Sequence, residues 1–258
     1  MQDRVTIDFA DGVADVCLNR PDKLNAIDPA MLEGIAAALE ALDGMTGLRA
    51  VVLSGAGRAF CAGLDMASFM GSAPDLMARS HGSANLFQHV AIGWRALPVP
   101  VIAAVTGVAF GGGFQIMLGA DVRIAAPDAS LSIMEIKWGL VPDMGGMALM
   151  RTLARDDVVR ELSYTGKQFT GEEAVRYGFI GRTAADPHAE ALALAREIAE
   201  RSPDAVRAAK RLCNVSGDAG LPAILLAESR EQAGLLGTPN QMEAVMANME
   251  KRKPAFRD

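Results

Sequence analysis

Apolar and polar positions alternate at the start of the chain. Val5, Ile7 and Phe9 stand between polar neighbours, the period of a strand with one buried face. Asp11-Gly12 follows, and an extended pattern resumes over residues 13–18. This predicts a hairpin closed by a tight Asp-Gly turn. At Asp28-Pro29 the period changes. Leu32, Ile35, Ala36, Leu39 and Leu42 recur at helical spacing, behind an N-cap aspartate and a proline at the first helical position. Gly44 and Gly47 close that helix. The unbroken run Val51, Val52, Leu53 within residues 49–54 predicts a buried strand. Residues 55–75 are rich in Gly, Ala and Ser and predict loop with a short helix. A helix over 76–97, a second buried strand over 99–105, a helix over 112–120 and short extended pieces at 122–125 and 131–133 follow.

Beyond Pro142 the pattern is almost wholly helical. Thr170-Gly171-Glu172-Glu173 has the form of a capping box. Ser202-Pro203 and Thr238-Pro239 are further cap-plus-proline starts. Residues 187–215 are Ala-rich and amphipathic. Residues 221–250 carry Met242, Val245, Met246 and Met249 along one side, a stripe suited to core or subunit packing. The order predicts a strand-rich core followed by a helical C-terminal portion, with no linker and no short-period repeat.

Composition narrows the class. The chain has 258 residues, 50% apolar and 22% charged, which is globular rather than disordered. A formal net charge of −6 lacks the basic footprint of a nucleic-acid binder. The longest strongly apolar stretch, residues 99–110, is too short to span a bilayer and contains Pro100, Thr106 and Gly107. No export signal is read at the N-terminus. Three cysteines, an odd number without close pairing, fit a reducing cytoplasmic setting better than a disulfide framework.

Several motif searches fail. Gly55-Ala56-Gly57 follows a predicted strand as a dinucleotide-binding turn would, but Phe60 stands where the third glycine is needed. There is no phosphate-binding loop and no nucleophile elbow. The three histidines lack zinc-binding spacing. Glycine beside carboxylates remains. Gly111-Gly112-Gly113 lies between a strand and a helix, and residues 60–65 form another small-residue passage. Each is either a tight turn alone or a source of free backbone N–H groups. Two such groups aimed at one point would make an oxyanion hole. Glu135 follows the apolar run 131–134. It is either a salt-bridge partner of Lys137 or Arg123, or a desolvated, weakened acid suited to proton transfer. Asp143 is either a second acid or an N-cap.

In this order these segments resemble the crotonase superfamily, the enoyl-CoA hydratase/isomerase family. Leu18-Asn19-Arg20-Pro21 with Asn25-Ala26 resembles its opening motif. Residues 54–65 resemble its first oxyanion segment, and residues 107–113 with Ala120-Asp121 the second. Residues 135–146 resemble its catalytic glutamate segment and residues 251–256 its C-terminal ending. The resemblance implies an α/β fold: a crotonase-like spiral of repeated ββα units with a helical C-terminal trimerisation region. The expected division is a core with the active site over 1–200 and an oligomerisation region over 201–258. It implies an acyl-CoA thioester substrate, no cofactor beyond the coenzyme A of that substrate, no metal, no nucleic-acid or membrane partner, and a homotrimer or hexamer. It places the oxyanion donors at the N–H groups of Leu64 and Gly112. It places coenzyme A or substrate contacts at Lys23, Ala26, Arg58, Ala62 and Asp65, with Lys251 and Lys253 reaching toward phosphates. Met66, Phe69, Met70 and Met134 either line an acyl tunnel or pack in the core, and residues 71–74 form a loop at the site mouth.

One position departs from the family. Its hydratases hold water between two glutamates, and the first would fall at Gln115. Glutamine can hydrogen-bond water but cannot accept its proton. Isomerases of the family shift a proton with one carboxylate at the Glu135 position. Its dienoyl-CoA isomerases also carry an aspartate where Asp143 stands, but have another acid where Gln115 stands, so that match is incomplete. Double-bond isomerisation is therefore favoured over hydration. A silent acyl-CoA binder, decarboxylation and thioester hydrolysis are the alternatives.

Overall fold

The computed structural model describes residues 3–69 and 75–258. The predicted hairpin is present: β1 (Val5–Ala10) pairs antiparallel with β2 (Val13–Leu18). Asp11 and Gly12 both take positive φ at its turn, the hand that matches strand twist. Asp28 caps α1 (Pro29–Asp43), its side chain accepting from the Met31 amide at 2.8 Å. The chain then continues through β3 (Ala50–Gly55), α2 (Leu86–Ala96), β4 (Val101–Val105), β5 (Val108–Phe110), α3 (Gly112–Leu118), β6 (Val122–Ala125) and β7 (Ser130–Ser132). A 3₁₀ turn, Glu135–Trp138, precedes α4 (Gly146–Met150), α5 (Asp156–Thr165), β8 (Phe169–Thr170), α6 (Gly171–Tyr177) and β9 (Arg182–Thr183). Helices α7 (Pro187–Ala199), α8 (Pro203–Ser216), α9 (Leu221–Leu235) and α10 (Pro239–Glu250) end the fold.

From β4 to β7 consecutive strands alternate between two sheets. A six-stranded sheet runs in the order β1-β2-β3-β4-β6-β9, parallel beyond the hairpin. A three-stranded sheet, β5-β7-β8, receives the second strand of the pairs β4-β5 and β6-β7, with β8 antiparallel on β7. Strand pairs β4-β5 and β6-β7, each followed by helical chain, form the repeated ββα spiral. The main core buries Leu18, Ile35, Leu53, Trp94, Phe114 and Phe179 with α1, α2 and α3. Val52, Ile102 and Ile124 face the other way onto α7, whose Ala191 and Ala195 allow close approach. Lys210 of α8 is buried and donates to Asp121 at 2.7 Å and to the carbonyls of Val99 and Trp94, tying α8 to the sheet. Among the described residues no helix is long and apolar enough to cross a membrane.

Three local expectations need correction. The helix expected over 76–97 begins at Leu86. Asp75 instead turns the chain by accepting from the Met77 and Ala78 amides, and Gly82 takes φ +65°. The helix is then opened by reciprocal bonds between Asn85 and Gln88. The C-terminal half is not wholly helical, because β8 and β9 interrupt it. These two-residue strands exist only through their partners. Ser202 stands at the start of α8 but its hydroxyl makes no capping bond. Thr170 and Thr238 cap as expected.

Candidate active site

The site begins where two chain segments run side by side. After β3 the chain turns back along β5: the Phe60 amide donates to Thr106 and the Cys61 amide to Val108, and the Phe110 amide donates to Cys61. Residues 62–65 then lie against 24–27. The Ala62 amide donates to Leu24, the Ile27 amide to Gly63 and the Asp65 amide to Ile27. The Leu64 amide, between these bonds, has no protein acceptor among the described residues. Gly63 takes φ +89°, and a Cβ there would stand 2.7 Å from the Phe110 carbonyl oxygen and 3.6 Å from the Gly112 nitrogen. Only glycine allows that approach. Gly111, at φ +49°, stops β5 and opens α3, so the Gly112 N–H is a first-turn amide with no helical acceptor. Two free N–H groups thus flank one spot.

Glu135 faces the same place. A Cβ on Gly111 would be 3.3 Å from its Oε1. Gln115 of α3, almost fully buried, donates from Nε2 to that oxygen at 2.6 Å. Gln115 Oε1 accepts from the Met144 and Gly146 amides at 2.8 and 2.9 Å. Those two donors fix the amide orientation, since only its oxygen can accept them. Glu135 Oε2 is buried with no partner. Burial raises the Glu135 pKa, with nearby Asp143 adding to the rise, against bonds that include the one from Gln115. Burial also raises the pKa of Asp143, although its residue stays exposed at the mouth. Glu135 forms no salt bridge with Lys137 or Arg123. Arg123 is spent on the carbonyls of Phe179 and Ala120. Asp143 is no N-cap, since Gly145 holds that place for α4.

These groups share a cavity of about 110 Å³. Ala62, Leu64, Gly112, Gln115, Glu135 and Asp143 line it, with apolar walls from Met66, Phe110, Met134, Trp138, Leu140, Val141 and Met144. The expected core of the site is therefore gathered in one place. The expected coenzyme A contacts are less so. Lys23 and Arg58 are exposed outside the cavity, beside the paired segments. Ala26 is half-buried and its carbonyl accepts from Arg20. Asp65 is bound by Arg20 at 2.9 Å, which holds its carboxyl below the usual range. Phe69 packs on Phe87 with ring centres 5.7 Å apart. Met70 and residues 71–74 lie outside the described residues. Lys253 pairs with Glu200 at 2.6 Å and lines a different cavity with Gly12 and Arg49, at the opposite ends of β2 and β3. Lys251 ends α10.

The sequence reading missed the role of Asn25. It is fully buried. Its Oδ1 accepts from the Arg20 amide, and its Nδ2 donates to the carbonyls of Ala56 and Ala59. Asn25 thereby pins the 20–27 loop to the segment leading into the site. Leu24 and Asn25 both take positive φ. Asparagine tolerates that conformation, which is the one local signal that marked it.

The spiral of strand pairs is an arrangement that known proteins share. Residues 8–258 match the family described as enoyl-CoA hydratase/isomerase. A carnitinyl-CoA dehydratase from Salmonella arizonae is 34% identical over 254 residues, covering 95% of each chain. The crystal structure of an enoyl-CoA hydratase from Bacillus anthracis superposes with a TM-score of 0.91 at 31% identity, covering 98% of both chains. That of an enoyl-CoA hydratase from Mycobacterium tuberculosis H37Rv gives 0.90 at 29% identity over 99% of both. The chain belongs to the enoyl-CoA hydratase/isomerase family, an acyl-CoA-processing enzyme family.

Proposed function

We propose that the protein is an enoyl-CoA isomerase that moves a double bond through a thioester enolate. The thioester oxygen sits between the N–H groups of Leu64 and Gly112. Glu135 Oε2 takes a proton from C2 of a 3-enoyl thioester. The electron pair spreads over C2, C4 and the carbonyl oxygen, and the two amides stabilise the negative oxygen by about 3 kcal/mol each. The same carboxyl returns the proton to C4, leaving the 2-enoyl thioester. One observation carries this reading: Gln115 uses its amide oxygen on two backbone amides and its nitrogen on Glu135. It has no acceptor left to activate water. Of the pair Gln115 and Glu135, that leaves one carboxylate with one free oxygen, which is what a proton shuttle needs.

Hydration is the second reading, favoured by Asp143 lining the same cavity with a raised pKa. Asp143 would then replace the missing glutamate. Incubating the protein with a 3-enoyl-CoA and with crotonyl-CoA separates the two. Conversion to the 2-enoyl thioester that Glu135→Gln abolishes supports isomerisation. Water addition to crotonyl-CoA that both Glu135→Gln and Asp143→Asn abolish establishes hydration instead. Tight acyl-CoA binding with no turnover and no exchange of C2 protons would make the chain a silent binder.

The remaining roles follow the same reading. Lys23, Ala26, Arg58 and Ala62 hold coenzyme A, which is the only cofactor and arrives with the substrate. Asp65 acts through Arg20 rather than on the substrate. Region 1–200 carries the site and region 201–258 the oligomer contacts of a homotrimer or hexamer. In support, Leu221, Leu225, Leu236, Met246 and Met249 are exposed on α9, α10 and the turn between them. Cys17, Cys61 and Cys213 are all free thiols, in keeping with a cytoplasmic setting.

A further inference from the structure

The single turn that carries Glu135 also carries Trp138. In a 3₁₀ turn, residues three apart eclipse one another, so the indole stands on the same side as the carboxyl. Gly139, at φ +68°, ends the turn, and the Leu140 amide returns to the Glu135 carbonyl at 3.1 Å. The indole is thus held at a fixed offset from the acid. It lines the cavity, yet it is 57% exposed, and its N–H finds no acceptor among the described residues. Leu140 and Val141 beside it are exposed as well. A large apolar side chain left open at a cavity mouth is a surface for a ligand to cover. The cavity is small, about 110 Å³, and opens to solvent beside the indole.

We propose that Trp138 sets the upper limit on acyl length at this site, so that the protein takes short acyl thioesters in preference to long ones. This inference rests on the acyl-CoA reading above. The indole closes over the end of a short chain and stands in the way of a longer one. A long chain must displace it and loses the cover it gives.

The protein reports on this directly. It has two tryptophans. Trp94 is fully buried and donates to the Val90 carbonyl, so a change in emission on ligand binding belongs to Trp138. Butyryl-CoA is expected to shift the emission to shorter wavelength, while free coenzyme A leaves it in place. Calorimetry of the wild type is expected to show butyryl-CoA binding at least about tenfold more tightly than octanoyl-CoA, the discrimination that pocket size alone supplies. Trp138→Ala should bring the two within about twofold by tightening octanoyl-CoA. Trp138→Leu, which keeps an apolar side chain in the turn, should fall between and guards against loss of the fold in the alanine variant. An unchanged ratio in both variants, or an unmoved emission with butyryl-CoA bound, overturns the role of Trp138 and leaves the enzyme reading standing. If no thioester binds the wild type, both fall.

Discussion

Two buried carboxyl groups of this protein behave oppositely. Asp28 opens α1. Burial works to raise its pKa, but bonds from Arg4 and the Met31 amide, with the charge of Arg20, outweigh it and hold the carboxyl below the usual range. Glu135 is more strongly desolvated and has no cation beside it. Its partners are a neutral amide and the carboxyl of Asp143, and its pKa rises. Depth and company together separate the two acids. Arg20, its side chain only 11% exposed, binds Asp28 and Asp65 together, and the result is a fastener. Gln115 binds Glu135 without adding a positive charge, and the result is a carboxyl whose second oxygen has no partner among the described residues.

The largest test of this contrast removes the reactive acid. Glu135→Gln should lower turnover of a 3-enoyl-CoA by at least about a thousandfold, read in a spectrophotometric assay, while binding of acyl-CoA persists. Loss of binding instead would mean that the carboxyl is structural after all. Next, Arg20→Ala strips the fastener from two acids. It should destabilise the fold by about 2 kcal/mol at pH 7, measured by urea unfolding. The folded pKa values of Asp28 and Asp65 lie below 3.8. Their contribution is therefore complete above that pH and disappears as pH falls through the lowered values. The variant should lose the part of that dependence that Asp65 supplies and keep most of that of Asp28, which Arg4 and the Met31 amide still hold.

A smaller effect is expected from Gln115→Glu. A carboxylate there still accepts the Met144 and Gly146 amides, but its other oxygen meets Glu135 and the pair must share a proton. Turnover at pH 7 should fall about tenfold, and the acidic limb of the pH–rate profile should move to higher pH. An unmoved limb would sever Gln115 from the protonation of Glu135. Smallest is a stability gain. Ionising Glu135 costs nothing below pH 4.5, where the carboxyl is neutral both folded and unfolded. The cost appears as pH rises through the raised folded value and is constant above it. Glu135→Gln should therefore be more stable by about 1 kcal/mol at pH 8, with the difference closing below pH 4.5 in thermal scans.

How much of this was written in the sequence depended on distance along the chain. The hairpin at Asp11-Gly12 and the caps at Asp28, Thr170 and Thr238 are local chemistry and were legible. So were the glycine segments and the acids at 135 and 143, because a family pattern keeps them in order. The stretch 75–85 was not, since its apolar spacing suits a helix that the Asp75 turn and Gly82 break. Strands β8 and β9 have no pattern of their own and exist through pairing. The direction of the Gln115 amide depends on donors 29 and 31 residues away. Nothing in the sequence announced that Arg20 holds Asp65.

The donor at Leu64 belongs to the main chain, held by hydrogen bonds that residues 62–65 make with 24–27. Its aim is thus indifferent to the identity of the side chain at that position, and among ordinary exchanges only proline would erase it. Descendants of this gene are free to reshape the wall beside the reacting carbonyl, one residue at a time, and to explore new acyl groups without first surrendering the chemistry.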